Sequence, residues 1–175
     1  MINIDHRTHR LGGIVVGLIT TSMITPTFEP LTASLITISS IIGSYIPDID
    51  EPNSKIGKRI RLLSKILKFI FKHRGIIHTP FFGILLMLGI RYGLASFVPP
   101  EYLKNILLGF FVGYASHLLL DTITSRGIMW LWPISTKYIS TQSELFVQFL
   151  IMTSALVYFY FKYDLLNLIL QSLKL

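Results

Sequence analysis

The chain has 175 residues and no cysteine; 51% of its residues are hydrophobic and 14% are charged, giving a mean hydropathy of +0.60. Soluble domains carry about 25% charged residues, so this composition marks a membrane protein and argues against a conventional water-soluble enzyme. The missing cysteine removes disulfides, thiolate metal sites and cysteine nucleophiles, while the formal net charge of +7 lies beside apolar segments and so points to anionic lipid and away from nucleic acid.

Arg7 and Arg10 precede the first apolar run, Leu11 to Thr25, with His6 and His9 standing just before it at i and i+3. No clear small-residue cleavage site follows, so the run is expected to remain as an uncleaved first span. The proline-bracketed turn "PTFEP" closes it, and a second run, Leu31 to Pro47, ends in "PDIDEPNS". Both runs fall slightly short of the roughly 20 residues of a typical span, a deficit that local bilayer thinning accommodates.

The next stretch, "KIGKRIRLLSKILKFIFK", places Ile56, Ile60, Leu63, Leu67 and Ile70 near one another at helical spacing, with Lys and Arg largely elsewhere. It predicts a basic amphipathic helix lying in the headgroup region of the inner leaflet. After the loop "HRGIIHTP", a third run covers Pro80 to Val98 and is interrupted by Arg91; a fourth covers Leu103 to Asp121 and a fifth Leu145 to Phe161. The final "LLNLILQSLKL" is too short to span and is expected at the interface or against the bundle. Between the last two runs, Trp130 and Trp132 in "MWLWP" suit interfacial anchors or a substrate wall. The expected fold is all-α: a polytopic membrane helical bundle of about five transmembrane helices plus a basic interfacial helix, forming one integral-membrane domain over 1–175.

Lys55, Lys58, Arg59, Arg61, Lys65, Lys68, Lys72 and Arg74 lie between the second and third runs, which puts that segment in the cytoplasm. Alternating spans then carry the N-terminus, the end of the second run, the HRGIIH loop and the end of the fourth run to the same side. All 5 histidines (His6, His9, His73, His78 and His117) therefore gather at one membrane face with Asp48, Asp50 and Asp121. Scatter would have been the bland expectation.

Taken singly, each part is weak. His117 and Asp121, at i and i+4, share a helix face and can bind one metal or simply pair with each other. "PDID" would aim Asp48 and Asp50 the same way on an extended backbone, yet it also reads as an ordinary helix stop. His73 and His78 are wrongly spaced for one helix face, but Gly75 and Pro80 make a loop that can turn both inward. As a set, imidazoles and carboxylates without thiolate are what hydrolytic Zn, Mn or Fe sites use, with a pair of carboxylates able to bridge two ions. Arg74 and Arg126 flank the set and suit a phosphate by bidentate geometry, although positive-inside charge alone accounts for them equally well.

The stretches "PDIDEPNSKIGKRI", "HRGIIHTP" and "GYASHLLLDTITSRGIMWLWP" resemble, in order and spacing, the YdjM-like family of inner-membrane proteins, described as metal-dependent hydrolases. The likeness covers roughly Thr8 to Pro133. It implies a metal-ligand set of His9, Asp48, Asp50, His73, His78, His117 and Asp121, with His9, followed by Gly13, favoured over His6. It also matches Arg74 to the arginine of the family's HRG motif. The His117/Asp121 pair is similar to ligand pairs of zinc-dependent phospholipase C enzymes. Ile77 and Thr79 depart from the family's usual HRGxTHS pattern, a change expected to alter hydrogen bonding around the ligands more than ligation itself.

The combined expectation is a metal-dependent hydrolase holding one or two divalent ions, zinc ahead of Mn or Fe. Asp48 or Asp50 would act as base, Arg74 would grip an anionic headgroup, and membrane lipid would be both environment and substrate. Two other classes compete: a metal-ion or proton transporter, for which only Arg91, Glu29 and Glu101 offer ionisable groups towards the outer face, and a structural metal site without chemistry.

Overall fold

A computed structural model describes residues 6–25, 29–54, 56–71 and 74–140. Helix α1 covers His6–Ile24 and α2 covers Pro30–Tyr45, started by Pro30, whose missing N–H costs nothing in a first turn. A 3₁₀ turn, Pro47–Asp50, follows directly. Helix α3 is Arg61–Phe71; a second 3₁₀ turn, Ile76–His78, leads to α4, Pro80–Leu94, and then to α5, Pro100–Ile123. Thr79 caps α4, its hydroxyl accepting from the Phe82 N–H at 3.2 Å. Among the described residues there is no strand, only an antiparallel bridge between Ile128 and Ile139.

The first four expected runs fall on α1, α2, α4 and α5. Pro30–Asp50 and Pro100–Ile123, of 21 and 24 residues, are the described segments long and apolar enough to cross a membrane, while α4 is apolar but shorter. The fifth run, Leu145 to Phe161, and the terminal LLNLILQSLKL lie outside the described residues. The basic helix starts later than its spacing predicts, because residues 56–60 form turns. Here Gly57 donates its N–H to the Ser54 hydroxyl at 2.9 Å, and a Cβ at Gly57 would overlap the Glu51 carbonyl, so the chain folds back instead of continuing as a helix.

Helices α1, α2 and α5 form the core, with α2 against α5 the broadest contact, while α4 packs on α5. Small residues set this geometry. Gly109 and Gly113 of α5 lie against the backbone of Ile36 and Ser40, and Gly43 of α2 lies against the backbone of Phe110; a Cβ at any of the three would overlap main-chain atoms. Gly13 and Gly17 of α1 meet Ser44, Ser40 and Thr37, and Ser40 Oγ donates to the Gly13 carbonyl at 2.7 Å. Spacing small residues by four lets helix backbones approach closely, the device that replaces hydrophobic packing in lipid.

Polarity is distributed inside out. Ser39, Ser40, Ser44, Thr21, His9, His117 and Asp121 are buried, whereas Leu11, Leu18, Ile38, Ile42, Leu85 and Phe111 are exposed. An outward apolar belt around a polar interior suits a bundle solvated by acyl chains.

Candidate metal centre

Antiparallel alternation brings four chain ends to one end of the bundle: the start of α1, the Pro47–Asp50 turn after α2, the Ile76–His78 turn before α4, and the last turn of α5. Asp121 is the hub. Its Oδ2 lies 3.3 Å from His117 Nε2 and 3.4 Å from His78 Nε2, and its Oδ1 lies 3.4 Å from His9 Nε2. Arg74 Nη2 donates to the same Oδ1 at 2.9 Å. Around this hub, His117 Nε2 is 3.9 Å from Asp48 Oδ1, His78 Nδ1 is 3.6 Å from Asp50 Oδ2, and the His9 and His117 rings stack with centroids 3.9 Å apart. His78, His117, Asp50 and Asp121 are fully or almost fully buried, while Asp48 is half-buried at the rim.

The donor set fits a divalent ion on the behaviour of His117. Its Nδ1 is 2.7 Å from the Ser44 carbonyl, an atom that can only accept, so Nδ1 carries a proton, and in the neutral ring Nε2 is the lone-pair nitrogen facing the cluster. This is how metal-ligating histidines are oriented in general. Among the described residues His117 Nε2 makes no hydrogen bond, nor do His9 Nδ1 and Asp48 Oδ2. Buried polar atoms are almost always paired, and leaving one unpaired costs about 1–3 kcal/mol. A cation explains why such atoms converge. Two triads satisfy the distance requirement, His9/His117/Asp121 and Asp48/His78/His117, each with one ligand atom per residue within 4.8 Å of the others.

Local structure holds the side chains of Asp48, His78 and Asp121 in place. The Tyr114 hydroxyl reaches the carbonyls of Ile77 and Thr79, fixing the turn that carries His78 against α5. Ser54 Oγ donates to the Asp48 carbonyl at 2.8 Å and so closes the turn after PDID. Arg74 adopts φ +60°, a left-handed conformation that costs a non-glycine residue about 1 kcal/mol or more, and its guanidinium is held between Asp121 and the Thr124 hydroxyl.

The structure thus assembles His9, Asp48, His78, His117 and Asp121, with Asp50 beside His78. Two expectations change. The PDID backbone is a 3₁₀ turn and not extended, yet both carboxylates reach the cluster: Asp48 lies with His117 and His78, and Asp50 lies beside His78. Arg74 is occupied by Asp121 and Thr124 and is not turned outward for a headgroup, and Arg126 is exposed. His73 and the side chain of His6 lie outside the described residues. Ser44, Tyr114 and Thr124 were not singled out from sequence; the Ser40/Ser44 pair, spaced as a helix-contact motif, was the available signal.

Residues 4–171 match the family described as YdjM inner membrane protein. The chain belongs to the YdjM family. YvsG of Bacillus subtilis strain 168 is 35% identical over 131 residues, 75% of this chain and 74% of its own length. The inner membrane protein YdjM of Escherichia coli strain K12 is 33% identical over 102 residues, 57% of this chain. This chain spans 50% of that relative's length. No solved structure matches. Family membership agrees with the resemblance read from the PDID, HRGIIHTP and SHLLLD stretches, and it gives the buried His/Asp cluster a YdjM-family setting.

Proposed function

We propose that this YdjM-family chain is a metal-dependent hydrolase of the inner membrane, cleaving a phosphoester or ester bond of a phospholipid or other phosphorylated lipid at the cytoplasmic face. One observation carries the reading: His117 is locked by the Ser44 carbonyl so that its Nε2, without a hydrogen bond, is aimed at Asp121 and Asp48. The inner-membrane assignment draws on the printed name of the E. coli relative, and the cytoplasmic face on the basic residues around α3.

His9, His117 and Asp121 would hold the ion, with His78 and Asp48 completing or exchanging with that set. A bound divalent ion supplies Lewis acidity and lowers the pKa of water at neutral pH. Asp48, at the rim, is the carboxylate placed to take a proton, and the buried Asp50 orients His78. Arg74 acts as a positioning residue: its guanidinium fixes the Asp121 carboxylate and partly offsets the negative charge gathered there. Zinc suits this nitrogen and oxygen set, as do Mn and Fe.

The depth of burial favours a second reading, a closed structural centre that pins helix ends together. Elemental mass spectrometry of detergent-purified protein, comparing wild type with His117→Ala/Asp121→Ala, tests for the ion. Phospholipid turnover with and without chelator then separates the two readings. Stoichiometric metal with chelator-sensitive turnover supports the hydrolase; metal without turnover supports the structural centre; metal-free wild type after reconstitution with each ion sinks both.

A further inference from the structure

Helix α3 turns its apolar side away from the protein. Leu62, Ile66, Phe69 and Ile70 form one outward stripe, with Phe69 89% exposed and Leu62 75% exposed, while Ser64, on the opposite side, is fully buried. Water would favour the reverse arrangement, because an outward Phe and Leu lose nothing only where the surroundings are apolar. Arg61, Lys65 and Lys68 follow one another at i, i+4 and i+7 along one flank of the stripe, with Lys58 and Arg59 exposed just before it. Lys68 is also anchored to Glu51 at 2.8 Å, fastening the helix to the segment that carries Asp48 and Asp50. An outward apolar stripe with a one-sided basic row is complementary to a negatively charged membrane surface, with acyl chains beneath and anionic headgroups beside.

We propose that α3 is an anionic-lipid-binding helix lying in the plane of the membrane interface, with Leu62, Ile66, Phe69 and Ile70 among the acyl chains and Arg61 and Lys65 on the headgroups. The occupant is a lipid surface, because apolar protein contact alone would leave the basic row without a counterpart.

The chain has no cysteine, so single labels are straightforward. Phe69→Cys and Lys65→Cys, each carrying a nitroxide, are reconstituted in nanodiscs of phosphatidylcholine alone or mixed with phosphatidylglycerol, and their collision rates with oxygen and with a water-soluble nickel chelate are compared. The label at position 69 is expected to favour oxygen and that at 65 the chelate, with position 69 moving deeper when phosphatidylglycerol is present. Binding of a spin-labelled phosphatidylglycerol is expected to fall roughly fivefold for each charge removed in Arg61→Gln and Lys65→Gln. Shielding of position 69 from both agents would mean that protein covers the stripe, either a second copy or residues 141–175, and would overturn the proposal. So would chelate access at 69, or a depth and lipid preference indifferent to phosphatidylglycerol. Neither readout involves turnover, so the outcome stands apart from the hydrolase reading.

Discussion

Arg74 and Asp121, 47 positions apart, meet through an Nη2 to Oδ1 contact of 2.9 Å in which the two side chains are 11% and 2% exposed. A carboxylate buried this deeply and facing three imidazoles keeps its orientation only if something holds it, and the guanidinium does so from outside the ligand set. Arg74→Lys keeps the charge but loses the planar fork, so metal affinity is expected to fall about tenfold with little loss of folded protein. Competition with a chromogenic chelator measures it, and unchanged affinity would remove Arg74 from this role.

The left-handed backbone of Arg74 gives a second test that is independent of metal. Arg74→Gly and Arg74→Ala both lose the ion pair, but only glycine relieves the φ of +60°. The glycine variant is expected to be more stable than the alanine variant by about 1 kcal/mol, read as a higher thermal midpoint in detergent. Equal midpoints would mean that the strain is absent.

Because His117 spends Nδ1 on the Ser44 carbonyl, it offers one nitrogen, and both candidate triads need it. The cluster is therefore expected to hold one ion per chain, and His117→Ala to abolish binding instead of halving it. Elemental analysis showing two ions per wild-type chain would contradict this.

Tyr114→Phe removes the hydroxyl that ties the carbonyls of Ile77 and Thr79 to α5. A stability loss of about 1 kcal/mol is expected. Metal affinity should weaken along with it, since His78 sits on that turn; stability loss with intact affinity would show that His78 does not ligate.

Gly113→Ala drives a Cβ into the Ser40 backbone and is expected to cost about 3 kcal/mol, whereas Gly89→Ala meets nothing within 4 Å and should be neutral or stabilising by up to about 1 kcal/mol. Unfolding in detergent or folded yield after extraction compares them, and similar outcomes would argue against the close α2/α5 contact.

The gathering of His9, Asp48, His78, His117 and Asp121 was legible in sequence because successive apolar runs that alternate in direction bring alternate chain ends to the same end of the bundle. Periodicity also located most helices. What it missed had no hydropathy signature. The contacts at Gly13, Gly43 and Gly113 depend on the absence of side chains, and the Ser44 carbonyl that orients His117 is a main-chain atom common to every residue type. At PDID the backbone was missed for a related reason: a 3₁₀ turn and an extended stretch carry the same four residues, and both carboxylates reach His78 through the turn. Ile56 and Ile60 fit a helical stripe, but Gly57 folds that stretch into turns before α3 begins.

The cluster's members sit at the ends of helices whose sides are fixed by glycine and serine contacts, so their mutual distances register how far one helix stands above another. One residue of helix corresponds to about 1.5 Å of rise, against hub contacts of 3.3–3.4 Å for His117, His78 and His9. A slip of α1 along α2 by a single residue is therefore nearly half the length of the His9–Asp121 contact. The glycine and serine seams between α1, α2 and α5 thereby set the spacing of the cluster as well as the packing of the bundle.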